Sequence, residues 1–181
     1  MSEELIVRHC SPTLAGLKTG NLFRCSFVSE ERLREEIRRL NRKLADKGLR
    51  ILPLRMEKNT ALIYVYRPSK LKCDLAKKAA ASILNVRGYC CEAPARCVSH
   101  LRARLQQEPE FPHEIGLFLG YPPEDVWGFI RKEIPTYSGL WKVYGDAEKA
   151  RRVFDSYKKC TDVYTRCLEK GSSLERLAVA G

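Results

Sequence analysis

The feature that most constrains the fold is an amphipathic helical pattern followed at once by two strand-like runs. Between Ser29 and Lys47, apolar residues recur at helical spacing and make one stripe: Leu33, Ile37, Leu40 and Leu44. The runs 49–56 and 60–66 are apolar or rich in β-forming residues, and the short polar stretch 57–59 between them is typical of a hairpin turn. A helix next to a hairpin predicts layered α+β packing with at least one antiparallel strand pair.

Cap and turn residues predict the remaining elements. They are a strand at 22–28, a helix capped by Ser69 that runs to Val86, helices opened by Pro94 and by Pro122–Pro123, a short strand at 140–144 and a long helix capped by Asp146. Together these patterns predict a small mixed, partly antiparallel sheet of three to five strands, covered by several helices. We expect one domain over residues 1–181, because no repeat or flexible linker interrupts the chain.

The charge balance favours an anionic partner. The 181 residues include 33 Lys and Arg against 22 Asp and Glu, so the formal net charge is +11. Nucleic acid, phosphorylated metabolites and acidic proteins would all be attracted. The basic residues are spread along the chain and not gathered in one tail, which makes nucleic acid the less favoured of these partners.

The apolar residues argue against a membrane protein. The sequence begins without a basic segment that leads into an apolar run, and no apolar stretch reaches the roughly 20 residues of a membrane-spanning helix. We therefore expect a cytoplasmic protein with no membrane partner. The oligomeric state is left open by these patterns.

Eight cysteines are many for this length, and we expect reduced thiols because no export signal is seen. Cys97 and His100 stand at i and i+3, and Cys90 or Cys91 could add a ligand, but no C-x-x-C pair is present. Metal or haem handling is therefore only a third hypothesis. No metal ligand is assigned, and the cofactor is unknown.

The segment 111–129 has the most distinctive local sequence, FPHEIGLFLGYPPEDVWGF. Its glycines and its Tyr121-Pro-Pro turn let the backbone pass close to a neighbour or ligand, directly before a helix start that could hold an anion. His113 and Glu114 are candidate proton-handling groups, since histidine titrates near neutral pH. The alternative is a packing corner that depends on its glycines.

A second candidate lies near the N-terminus. The Cys10 thiol stands beside His9 and near Lys18, and such neighbours could lower its pKa and make it a nucleophile. The loop from Lys18 to Asn21 could touch an anionic ligand, although it is not a phosphate-binding fingerprint. The alternative is a buried cysteine with an ordinary surface histidine.

A third candidate is the strand-to-helix junction with Arg67 and Lys70. The planar donor fork of Arg67, the charge of Lys70 and the helix dipole suit a carboxylate or phosphate. Lys142 and Tyr144 share one face of the short strand, because side chains alternate along a strand, and they could line the same cleft. The alternative is a capped helix with two solvated basic residues.

The segment 111–129, together with residues 9–22 and 140–146, resembles a bacterial family known as domain of unknown function number three-seven-nine-three. The resemblance covers nearly the whole chain. It implies a cytoplasmic bacterial protein of about this size and carries no reaction, cofactor or catalytic residue.

Our leading hypothesis is a protein that binds a small anionic metabolite in a basic cleft. The cleft would be built from the Lys18 loop, the Arg67–Lys70 junction and the 113–121 motif, and an enzyme of this kind would use Cys10 or His113. The runner-up, from another class, is a nucleic-acid-binding or regulatory module that uses the Arg-rich helices.

Overall fold

The central element of the fold is strand β3 (Thr60–Tyr66), which has an antiparallel partner on each side. In the computed structural model, which describes residues 1–89, 93–108 and 110–181, β1 (Gly20–Ser26) pairs with one edge of β3 and β2 (Arg50–Glu57) pairs with the other. The turn between β2 and β3 has Lys58 at a φ of +50°, so the predicted hairpin is confirmed.

Nine helices and a second, two-stranded sheet complete the described part of the chain. The helices are α1 (Glu3–Leu14), α2 (Glu30–Leu44), α3 (Pro68–Leu75), α4 (Lys78–Val86), α5 (Pro94–Gln107), α6 (Ile115–Phe118), α7 (Pro123–Ile130), α8 (Ala147–Glu169) and α9 (Leu174–Leu177). The second sheet pairs β4 (Tyr137–Ser138) with β5 (Lys142–Val143) in antiparallel fashion. Within the described ranges, no helix is both long enough and apolar enough to cross a bilayer.

The three-stranded sheet is covered by helices on both faces. Side chains alternate along a strand, so Ile63 and Val65 of β3 face one layer, and Tyr64 faces the other. The first layer is built by α1, α2 and α9, with α8 packed against α1, and the second by α3 to α7. A third, smaller apolar cluster joins the β4–β5 hairpin to α8 through Val143 and Phe154.

The α+β class is confirmed, and so are most predicted elements. Ser29 caps α2 by accepting a hydrogen bond from the Arg32 amide, and a 3-10 turn, Ala45–Lys47, continues α2 and ends at Gly48, which has a φ of +68°. The single helix predicted from Ser69 to Val86 is wrong. The chain forms α3 and α4 instead, because the extended backbone of Lys77 separates them. The N-cap of α3 is Arg67 and not Ser69, because a residue before proline disfavours the helical conformation.

Helix α1 was not predicted from the sequence, and there is a physical reason for this. Pro12 lies inside its last turn, and proline lacks the amide hydrogen that an inner helical residue would donate. Tertiary packing of the buried Ile6, Val7 and Cys10 supports the helix despite this weak local signal.

The buried Arg67 joins three distant segments. It is only 1% exposed, and four of its five N–H groups donate to backbone carbonyls. Nε bonds Thr13 at 2.7 Å, Nη2 bonds Leu14 and Val179, each at 2.7 Å, and Nη1 bonds Lys47 at 3.0 Å. Arg67 therefore satisfies the carbonyl end of α1 and fixes residues that follow α2 and α9.

Replacing Arg67 with Lys should lower the free energy of unfolding by about 3 kcal/mol, because one ammonium cannot reach four separated carbonyls and each charge-assisted bond contributes appreciably. Chemical denaturation measures this change. Arg38→Lys, at an exposed position on α2, is the matched control and should change stability by no more than about 0.5 kcal/mol. Equal stability of the two variants would contradict the structural role of Arg67.

Candidate functional site

A turn at the end of α1 fixes the position of Lys18. The amide of Leu17 donates to the Pro12 carbonyl at 2.8 Å and the amide of Gly16 donates to the Thr13 carbonyl at 3.1 Å, the bond pair of a Schellman motif. Gly16 takes a φ of +75°, in the left-handed region that favours glycine. The Lys18 amide also donates to Pro12, so the backbone of Lys18 is tied to the helix end.

Lys18 is a buried cation without an acidic partner among the described residues. Its side chain is 8% exposed, and its ammonium lies 5.2 Å from the ring centroid of Tyr121 and 5.9 Å from that of Tyr157. These cation–π contacts compensate only part of the lost hydration. Burial accordingly lowers the pKa of Lys18 from 10.5 to about 8.

Two glycines of the 111–129 segment bring Tyr121 to the Lys18 loop. A Cβ on Gly120, whose φ is +77°, would lie 2.7 Å from Oγ1 of Thr19. A Cβ on Gly116 would lie 3.1 Å from the Tyr121 ring. The segment is therefore a close-packed corner, and its Tyr121 side chain lines the cavities described next.

Two cavities, each of about 460 Å³, meet at this corner. The lysine cavity is lined by His9, Lys18, Asn21, Tyr157, Lys158 and Asp162. The apolar chamber is lined by Phe111, Val126, Phe129 and Trp141, with His113 and Lys142. Tyr121 and Leu140 line both cavities.

A third depression, the rear cavity, lies on the other side of Lys18. It has a volume of about 430 Å³ and is lined by Lys18, Ser69, Lys70, Asp74 and Tyr157, among others. Asp74 does not pair with Lys18: its carboxylate accepts hydrogen bonds from Thr19 and, at 2.6 Å, from Lys77. Lys18 and Tyr157 thus connect the lysine cavity with the start of α3.

Asp125 builds the wall of the apolar chamber, and sequence reasoning missed it. It is 3% exposed and accepts hydrogen bonds from Trp141 Nε1 at 2.8 Å and from the amides of Tyr144 and Gly145 at 2.7 and 3.0 Å. It therefore fixes the hairpin segment that carries Leu140 and Trp141. Its donors lie 16 to 20 residues further along the chain, so local sequence patterns give no sign of this role.

Several predicted site residues do come together. Lys18, Asn21 and Tyr121 line the lysine cavity, and Lys70 lines the rear cavity. His113 and Lys142 line the apolar chamber, where both contact Phe129. The His113 ring meets Phe129 edge-on at 4.9 Å, and the Lys142 ammonium lies 5.5 Å from the same ring centroid.

Two of the predicted site residues bond within the fold, away from the cavities. Arg67 is buried and donates to carbonyls, so its fork is not directed at a ligand. Glu114 is 1% exposed and accepts hydrogen bonds from Arg104 and from the Tyr89 hydroxyl, so the partners of its carboxylate lie within the core. Neither burial is visible from local sequence.

Cys10 and Tyr144 also lie apart from the cavities. Cys10 is fully buried, and although Lys18 is near, burial raises the pKa of the thiol far above its usual value, which argues against the predicted nucleophile. Tyr144 packs its ring on Gly128, where a Cβ would lie 2.4 Å from it, and lines none of the three cavities.

The four cysteine and histidine residues considered as metal ligands do not form a metal site within the described residues. Cys90 and Cys91 lie outside the described residues, and within these no cluster of three or more His, Cys, Asp or Glu side chains is placed to hold an ion. Cys97 is disulfide-bonded, so the expectation of reduced thiols is wrong at this position. His100 stacks on Tyr89 with 4.3 Å between ring centroids.

The arginine-rich face of α2 forms a separate surface. Its arginines line a shallow depression together with Glu35 and Glu36; they are Arg32, Arg38, Arg39 and Arg42. Because basic and acidic side chains are mixed on this surface, nucleic-acid binding stays a prediction.

These features define a class: a small α+β protein with a helix-covered antiparallel sheet and a buried lysine between aromatic-lined cavities. The chain belongs to the family described as protein of unknown function (DUF3793), which matches residues 6–178, so the resemblance is confirmed. No match was found among curated proteins or among solved structures.

Replacing Lys18 with Met should stabilise the protein at neutral pH. Below pH 8 the folded and unfolded chains both carry the Lys18 charge, and only the folded chain bears the cost of burying it. Between pH 8 and 10.5 the unfolded wild-type chain binds more protons at Lys18 than the folded chain does. The free energy of unfolding of the wild type therefore rises with pH toward that of the variant. We expect the variant to be about 2–3 kcal/mol more stable at pH 7 and the difference to vanish near pH 10.5.

Denaturation of both proteins across this pH range measures the difference. Burial raises the pKa values of Cys10, Tyr121 and Tyr157, so these neighbours stay neutral near pH 8 and do not mimic the effect. A pH-independent difference, or a variant that is less stable at pH 7, would contradict the buried-charge interpretation.

Proposed function

We propose that the protein binds a small anionic molecule whose negative group pairs with Lys18. The observation that carries this proposal is a lysine that is only 8% exposed, borders two cavities and has no carboxylate partner among the described residues. An isolated buried charge is costly, and an anion from solution would offset that cost. This is the chemistry expected of a binding site kept ready for its ligand.

Further hydrogen-bond donors surround Lys18. Thr13 Oγ1 donates to Asn21 Oδ1 at 2.7 Å, which leaves the amide N–H groups of Asn21 available to a ligand in the lysine cavity. On the other side, the Ser69 hydroxyl and Lys70 lie in the first turn of α3. Carboxylates and phosphates are the anions that such donor sets accept.

A histidine-dependent reaction on the bound ligand is the enzymatic form of this proposal. His113 is exposed at the apolar chamber, where its ring meets Phe129 edge-on, and this exposure makes its nitrogens accessible to a ligand or to water. The buried Cys10 is less suited to such a step. Binding is the part of the proposal that can be tested first.

The test is a thermal-shift and calorimetric screen with inorganic phosphate, sugar phosphates and small carboxylates. A ligand that binds only the folded state raises the melting temperature. Lys18→Met should weaken binding of any hit by at least about tenfold, because a charged pair in a poorly hydrated site is lost. Lys159→Met, at an exposed position on α8, is the matched control and should bind as the wild type does. A hit that binds both variants equally would overturn the proposal.

A further inference from the structure

We infer that the ligand is an anionic amphiphile: its charged group lies at Lys18 and its hydrocarbon part occupies the apolar chamber. This inference rests on the proposed function and adds the class of molecule that is bound. Three observations support it: the apolar lining of the chamber, the residues that the chamber shares with the lysine cavity, and the contacts that fix the chamber wall.

The chamber leaves large apolar side chains open to solvent. Phe111 is 43% exposed, Phe129 is 37% exposed and Leu140 is 58% exposed, and all three line this one cavity. Single exposed apolar residues are ordinary, but a group of them around a concavity marks a binding surface. Hydrocarbon from a ligand would remove this surface from water.

The chamber adjoins the lysine cavity, because Tyr121 and Leu140 line both. The Tyr121 ring contacts the Lys18 ammonium at 5.2 Å and stacks on Trp141 at 4.5 Å between centroids. Tyr121 therefore contacts both the cation and the aromatic wall, and a molecule that extends past this ring would reach both. A purely polar anion would leave the chamber empty.

The wall of the chamber is held in place before any ligand binds. Trp141 donates to the buried Asp125, and its ring meets Phe154 edge-on at 4.4 Å between centroids. A preformed apolar wall loses little conformational entropy on binding, which suits a flexible hydrocarbon chain.

Lys142 is the competing position for the charged group, because its ammonium lies near Phe129 at the chamber. Lys142 is exposed, so its charge is already hydrated, whereas Lys18 is buried. An anion therefore gains more at Lys18, where water has been excluded.

Calorimetry with linear carboxylates from butanoate to decanoate, below their micelle concentrations, tests this inference. For wild-type protein, affinity should rise roughly three- to fourfold per added methylene group. 1-Octanol, which has a chain but no charge, should bind at least about tenfold more weakly than octanoate. Lys18→Met should remove this preference for octanoate, and Lys142→Met should preserve it.

Chamber variants separate the hydrocarbon site from the anion site. Val126→Trp should fill the chamber and abolish the dependence on chain length, while phosphate binding at Lys18 is retained. Because Val126 is buried, Leu140→Ser at an exposed position is the second variant and should reduce the gain per methylene group. Ile134→Ser, at a position that is 92% exposed and outside the chamber, should change nothing.

The outcomes distinguish the inference from the proposed function. Affinity that is independent of chain length, with phosphate binding still sensitive to Lys18→Met, would overturn the inference alone. A chain-length effect that depends on Lys142 and not on Lys18 would also overturn it. If no anion responds to Lys18→Met, the proposed function fails as well.

Discussion

The structure depends on the burial of the Arg67 guanidinium among backbone carbonyls. Its bonds to Thr13 and Leu14 satisfy the end of α1 that Pro12 and Gly16 shape, and its bonds to Lys47 and Val179 attach two other segments to the same point. The turn that presents Lys18 begins at that helix end. One buried cation, with four of its five N–H groups bonded, thus holds in place a second buried cation that has no acidic partner among the described residues.

This contrast between the two basic residues is the basis of the functional argument. Arg67 recovers its lost hydration from four carbonyls, whereas within the described part of the chain Lys18 contacts the faces of two tyrosine rings and no carboxylate. A protein that keeps an uncompensated charge gives up stability, and such local costs are typical of binding sites. Three cavities lie around Lys18 and Tyr121, and the proposed anion would offset that cost from one of them.

Sequence patterns predicted the elements whose signals are local. The stripe of α2 buries one repeating set of side chains, so spacing identified that helix, and the dense run of β-forming residues identified β3, which is buried on both faces. The corner near Tyr121 could be anticipated from its glycines, and its packing on Thr19 could not. Arg67, Glu114 and Asp125 could not be assigned correctly, because long-range packing decides whether a charged side chain faces solvent, a ligand or the core.

The charge state of Lys18 is the most direct test of this account. An NMR titration of the Lys18 side-chain carbon and nitrogen, assigned with the Lys18→Met variant, would report its protonation in the folded protein. The account predicts a midpoint near pH 8 that moves upward when a saturating anion binds, because the anion favours the charged form. A midpoint near lysine's ordinary value of 10.5, unchanged by any anion, would contradict it.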